Sequence, residues 1–234
     1  MNKILFINAL GNAIIYLIVY KSKKVDEMKD LLKGILNFRE KDYYTHKELF
    51  NDLKEQQKPH TLFISCSDSR VDPNMITKSL PGELFIIRNI ANIVPPFRKS
   101  EDYAATTSAI EYAVLVLGVD NIIICGHSNC GGCAACLMSE ESLDNLPHTK
   151  KWLELSKSVR DRILEDKTVV DKGKREWMME QANIVEQMRH LLTYPYIAEK
   201  VENKTLTISG WHYIIETGEV FIYDKVAGEF KLAN

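Results

Sequence analysis

The 234-residue sequence has no excess of charge of either sign: 30 Lys and Arg stand interspersed against 32 Asp and Glu, for a formal net charge of -2. Nucleic-acid binding leaves a basic footprint, and there is none. The expected partner is therefore a small molecule or a second copy of the chain. The sequence also lacks a spread of cysteines. Its five lie at positions 66, 125, 130, 133 and 136, an odd number with four of them inside twelve residues. A disulfide framework distributes cysteines to staple distant segments, so this clustering excludes a stapled secreted fold. It points instead to a reducing compartment, the cytoplasm, with thiols free to bind metal. Repeats, low-complexity tracts and internal linkers are missing too, and a composition of 45% hydrophobic and 26% charged residues suits one soluble globular domain.

One long apolar run is present, and it is marginal. Ile4 to Tyr20 is apolar for seventeen residues apart from Asn8, Gly11 and Asn12, with Lys3 before it and Lys21, Lys23 and Lys24 after it. That is the short limit for a spanning helix, and VYKSKK at its end is a poor cleavage site for a signal peptide. The reading adopted is that Met28 opens the folded chain, with residues 1-27 a dispensable segment and residues 28-234 the functional domain. The alternative is a retained anchor at residues 4-20, whose basic flank would hold the rest of the chain on the cytoplasmic side of a membrane.

From Met28 to about Gln57 the apolar residues Leu31, Leu32, Ile35, Leu36 and Phe38, then Leu49, Phe50 and Leu53, recur at helical spacing and are expected to face the core or a second copy. HTLFISC predicts a buried strand, and GELFIIRN (Gly82 to Asn89) a second one after a Pro-Gly turn. Ser100 and Gly118 bracket a helix as N-cap and stop. DNIIICGH (Asp120 to His127) is a third, fully buried strand. Pro147 to Leu192 reads as a long charged helical stretch, and TLTISGWHYIIETGEVFIYD as a hairpin turning at TGE. Strands alternating with helices predict an α/β domain with a mainly parallel central sheet flanked by helices, preceded by an N-terminal helical arm.

Two strand ends carry the chemistry. FISCSDSR leaves the first strand with Cys66, Asp68 and Arg70 spaced two apart, and GHSNCGG leaves the third with His127 and Cys130 three apart. Gly126, Gly131 and Gly132 let backbone come close there. Carboxyl ends of strands are where open α/β sheets place ligands. Two thiolates and one imidazole suit zinc, which takes these ligand types tetrahedrally and keeps a fourth position for water. Taken singly, Cys66 reads as a small buried hydrophobe and His127 as a satisfied polar residue. The run Cys130-x2-Cys133-x2-Cys136 imitates part of an iron–sulfur site but lacks a fourth cysteine, and a helix would scatter its members. Cys125, Cys133 and Cys136 are accordingly assigned to packing.

CSDSR, RNIAN (Arg88 to Asn92) and GHSNCGG, in this order and strand context, resemble the β-class carbonic anhydrases, as do PGELFIIRNIAN, SAIEYAV and GWHYIIETGEVFIYD. The resemblance spans about Met28 to Asp224. It implies reversible hydration of carbon dioxide to bicarbonate and a proton on one zinc ion per chain, ligated by Cys66, His127 and Cys130. Hydroxide formed on the metal would attack carbon dioxide, oriented by Asp68, which Arg70 holds. The same Asp68 can instead swing onto the metal as a conditional fourth ligand. Gln57, Phe97 and Tyr112 resemble the plant-like, water-bound subgroup, where they serve a pocket shared across a dimer interface; with Gly132 they make up the implied substrate-binding set. Phe63 and Ser65 stand where the other subgroup carries Trp and Gly beside a regulatory bicarbonate site, which argues against bicarbonate inhibition. The implied assembly is a homodimer or larger. Two further readings stay open: a relative acting on carbon disulfide or carbonyl sulfide, and a non-catalytic zinc protein. Asp68 and Arg70 argue against the second, since a structural site needs four firm ligands and no dyad.

Overall fold

The structure is a computed structural model that describes residues 23–98 and 104–233. The apolar segment before them, and the Ser100 cap, lie outside the described residues. The described residues fall into two compact units, one up to residue 56 and one from residue 57 onward. In the first, α1 (Lys23–Asn37) runs into a wide turn at Phe38–Asp42, a short turn α2 (Tyr43–Thr45) and α3 (Lys47–Leu53). Phe50 stacks on Tyr43 and meets Phe38 edge-on, which closes this unit on itself. Leu31, Ile35 and Leu36 are exposed.

The second unit is built on a six-stranded sheet. In chain order its elements are β1 (Thr61–Cys66), α4 (Pro73–Thr77), β2 (Leu84–Asn89), α5 (Ala104–Glu111), β3 (Asn121–His127), α6 (Gly131–Cys136), α7 (Pro147–Leu153), α8 (Lys157–Glu165), α9 (Lys172–Leu191), α10 (Pro195–Glu202), β4 (Thr207–Tyr213), β5 (Val220–Asp224) and β6 (Glu229–Leu232). The strand order is β2-β1-β3-β4-β5-β6. The first four strands are parallel; β5 runs antiparallel to β4, and β6, at the edge, runs antiparallel to β5. All six residues of β1 are buried, as suits a largely apolar parallel strand covered on both faces.

Helix α9 covers one face of the sheet. Its Ile184 and Met188 join Leu62, Ile64, Ile122, Ile124 and Ile208 in one apolar cluster. The helix comes this close because two strand positions have no side chain. A Cβ on Gly126 would stand 2.7 Å from Ile184, and one on Gly210 would stand 2.6 Å from the Met188 sulfur.

The predicted helix ending at Gly118 is present as α5 continued by a wider turn over Tyr112–Val116, and Gly118 stops it at φ +68°. The stretch 147–192 is broken where one run of helix was expected. Asp166 turns the chain by accepting from the Thr168 amide and hydroxyl, and Asp171 then caps α9 by accepting from the Lys174 amide. Short carboxylate-to-backbone bonds of this kind outcompete the helix. The TGE turn does join β4 to β5; β6, which pairs with β5 through GEFKL, was not foreseen.

Candidate metal centre

The strand order carries its own prediction about place. The chain leaves β1 for β2 on one side and returns to β3 on the other, so the connections diverge between β1 and β3. A crevice opens at the carboxyl ends of such a pair. Ser65 pairs with Cys125, which sets Cys66 at the end of β1 beside His127 at the end of β3. A two-residue loop, Ser128 and Asn129, then brings the chain to Cys130, directly before α6.

These three side chains converge. The Sγ atoms of Cys66 and Cys130 and a ring nitrogen of His127 lie within 4.8 Å of one another, all buried, the one cluster with metal-ligand spacing among the described residues. The two sulfurs are 3.9 Å apart. Sulfurs bound at about 2.3 Å to a tetrahedral zinc would stand about 3.8 Å apart, so the pair is already set at ligating distance. His127 donates Nδ1–H to the Ser128 carbonyl at 2.9 Å, which turns Nε2 toward the sulfurs. Nε2 is buried and has no hydrogen-bond partner among the described residues, a costly state that a cation would relieve. The donor set thus fits zinc. Hydrogen bonding to the Cys130 thiol, then burial, pushes the Cys66 thiol up to about 12. Cys130 is also pushed up to about 12, with the Cys133 thiol as its largest cause. These thiols stay protonated until a cation takes the protons' place.

Asp68 stands beside this triangle, its Oδ2 3.9 Å from His127 Nε2. Arg70 grips both carboxylate oxygens, Nε donating to Oδ1 at 2.9 Å and Nη2 to Oδ2 at 2.7 Å, while the Arg70 amide donates to Oδ1 at 2.9 Å. Those Arg70 bonds hold the Asp68 carboxyl well below the usual range, so it is ionised at any working pH. A second guanidinium secures the backbone: Arg88 donates from Nε to the Cys66 carbonyl at 3.1 Å and from Nη2 to the Asp68 carbonyl at 2.6 Å.

Sequence reasoning singled out Arg88 only as part of a motif, and it missed Glu180 altogether. Glu180 is buried in α9, accepts from the Cys130 amide at 3.0 Å and shares its other oxygen with His212 Nε2 at 3.2 Å. Fifty residues separate Glu180 from Cys130, so no local pattern could have shown this bond. The pairing also gives fully buried His212 a fixed partner. The cysteine run needs a correction. Helix α6 does not scatter Cys130, Cys133 and Cys136; all three are buried in one cluster with Cys66. Spacing of three keeps them on one side of a short helix, yet only Cys130 joins the ligand triangle. Cys125 is buried elsewhere and donates to its neighbour's carbonyl at Gly126.

The remaining predicted residues are not drawn into the triangle. Gln57 is exposed at the head of the second unit. Phe97 is partly exposed, packs edge-on to Tyr194, and donates its amide to the Thr193 hydroxyl. Tyr112 is exposed and faces Phe85, an aromatic not singled out from sequence. At Gly132 a Cβ would stand 2.9 Å from Ile90 and Ala91, so this glycine lets α6 approach the segment after β2.

Comparison with known proteins agrees with this geometry. The family model described as "Carbonic anhydrase" matches residues 61–220. A carbonic anhydrase of Helicobacter pylori strain J99 is 42% identical over 194 residues, 82% of this chain and 88% of that protein. One of Synechocystis is 38% identical over 203 residues, 87% and 73% of the two chains. Among solved structures, the β-carbonic anhydrase CcaA matches at a TM-score of 0.84 and 38% identity, covering 89% of this chain and 93% of that one. A β-carbonic anhydrase of Sordaria macrospora described as tetrameric matches at 0.73 and 31%, covering 83% and 95%. Alongside a Cys-His-Cys triangle at the divergence of a parallel sheet, these relatives place the chain in the β-class carbonic anhydrase family of carbon dioxide hydratases.

Proposed function

We propose that the chain hydrates carbon dioxide reversibly to bicarbonate and a proton, using one zinc ion held by Cys66, His127 and Cys130 with Asp68 and Arg70 as the catalytic dyad. Zinc bound there supplies a Lewis acid that lowers the pKa of water toward neutrality and offers it an open coordination position. The chain's own residues do the rest. Asp68, ionised, accepts a hydrogen bond from the attacking water and aims its oxygen at carbon dioxide. Arg70 occupies both carboxylate oxygens and keeps Asp68 from turning onto the cation as a fourth ligand. The observation that carries this reading is the bidentate clamp beside the ligand triangle, since a closed structural site has no use for it. It also favours the water-bound resting state over the Asp-bound one.

The exposure of Tyr112 and Phe97, and of Leu31 and Ile35 on α1, supports a homo-oligomer in which a second copy covers these apolar surfaces and completes a substrate pocket with Gln57 and Gly132. Five free cysteines support a cytoplasmic site of action. None of the described helices is long and apolar enough to cross a membrane.

The test is stopped-flow carbon dioxide hydration with zinc quantified. Wild type should turn over with about one zinc per chain, and Asp68→Asn should lose at least ~100-fold in rate while keeping its metal. A zinc-replete, inactive wild type would contradict the proposal.

A further inference from the structure

Between His127, which ends β3, and Cys130 lie only Ser128 and Asn129, and both are tied to the turn between β4 and β5. The Ser128 amide donates to the Tyr213 carbonyl at 2.9 Å, one step past the end of the strand pairing. The Ile215 amide donates to the Ser128 hydroxyl at 3.0 Å, and that hydroxyl donates to Glu216 Oε2 at 2.9 Å. Asn129 Nδ2 donates to the other oxygen of the same carboxylate. The turn that delivers Glu216 is itself closed: the Ile214 amide donates to the Glu219 carbonyl at 2.8 Å, and the Gly218 amide to the Ile214 carbonyl at 2.9 Å. One carboxylate therefore grips both loop residues, one with each oxygen.

Asn129 is where this matters for chemistry. It is held at φ +54°, a left-handed conformation that a non-glycine residue adopts at a cost. In this conformation its carbonyl accepts from Arg70 Nη2 at 3.0 Å, the same nitrogen that donates to Asp68 Oδ2 at 2.7 Å. Arg70 thus has two anchors, the Asp68 carboxylate and a backbone oxygen that does not move with it. Without the second, the Asp68–Arg70 pair could rotate as a unit and the clamp would lose its direction.

We propose that Glu216 is a positioning residue of the active site, which fixes the Asn129 carbonyl so that Arg70 holds Asp68 in a set orientation. This rests on the reading of Asp68 and Arg70 as the catalytic dyad. Its chemistry is specific to an acceptor-only group with two oxygens, because the loop presents one hydroxyl and one amide donor. Glu216 is exposed, so replacing it leaves the core intact and the effect is readable.

The experiment is a double-mutant cycle on the zinc-loaded enzyme, with Glu216→Ala, Arg70→Ala and the pair. Glu216→Ala is expected to lower kcat by about tenfold, the size of one lost charge-assisted bond, with KM moving less than twofold. Zinc content should stay at one per chain. Glu216→Gln, which keeps one accepting oxygen for Asn129, should recover to within about threefold of wild type. In the Arg70→Ala background the Glu216→Ala change should cost less than about twofold, because its route to Asp68 is gone. A readout independent of turnover is the reaction of Arg70 with phenylglyoxal, followed by peptide mass, which should be faster in Glu216→Ala. Wild-type rates in Glu216→Ala, or an undiminished cost in the Arg70→Ala background, would overturn the proposal and leave the dyad standing. An inactive, zinc-replete wild type would instead remove the dyad on which it rests.

Discussion

Arg70→Ala isolates the clamp from the metal. Asp68 receives three hydrogen bonds from residue 70, and only the amide bond to Oδ1 survives truncation. The oxygen that loses its sole donor in this set is Oδ2, which is also the one 3.9 Å from His127 Nε2. A side chain pinned at one oxygen alone can rotate about that point, and Oδ2 then moves by about 1 Å or more, toward the ligand triangle. Misplacement on that scale costs reacting groups about 100-fold. Arg70→Ala is therefore expected to lower kcat/KM by about 100-fold in stopped-flow hydration, with zinc still near one per chain, because none of the ligand contacts is made by Arg70. Arg70→Lys replaces a planar fork with a point charge and should fall between, at about tenfold. A variant within threefold of wild type would refute the clamp. So would loss of zinc, which would make Arg70 a support of the site rather than of Asp68.

Three further expectations rest on packing and ligation. Removing zinc with a chelator should lower the melting midpoint by about 5–10 °C, since the bound metal's contribution to folding is lost and each kcal/mol shifts a chain of this size by about 2–4 °C; an unchanged midpoint would mean the triangle does not bind metal in the folded protein. Gly210→Ala forces a Cβ to 2.6 Å from the Met188 sulfur and 2.8 Å from Ile184, and should cost about 1–3 kcal/mol in denaturant unfolding, whereas Gly34→Ala, with nothing within 4 Å, should cost nothing. Asn183→Leu breaks a buried network. It removes the donor to the Ala91 carbonyl at 2.8 Å and the acceptor for Ser156 and Gln187, each at 2.8 Å, at a cost of about 2–4 kcal/mol by the same measurement.

Much of the site was legible because its chemistry sits at strand ends in short runs. Cys66-x-Asp68-x-Arg70 and His127-x2-Cys130 each fall within a few residues, and a parallel sheet aligns the ends of neighbouring strands, so the triangle followed from two local patterns and one topology. What stayed hidden is nonlocal. Glu180 reaches the Cys130 amide across the face of the sheet, and the Asn183–Gln187 network holds the segment after β2 from the middle of α9, where Gln187 accepts from the Val94 amide. In the sequence these are polar residues on a charged helix and look like a solvated face. Helix boundaries failed for a related reason: Asp166 and Asp171 counted as ordinary charges, while in the fold they bond backbone amides and end or start a helix. The edge strand β6 was missed because Glu229–Leu232 is short and carries charge, the usual dress of an edge strand.

In the proposed centre two sulfurs and one imidazole hold the metal while a fourth position takes a light atom. X-ray absorption at the zinc edge on the purified, active chain reads this directly. The expected first shell is two sulfurs at about 2.3 Å and two nitrogen or oxygen atoms at about 2.0 Å. A shell of three or four sulfurs would bring Cys133 or Cys136 onto the metal and contradict the account.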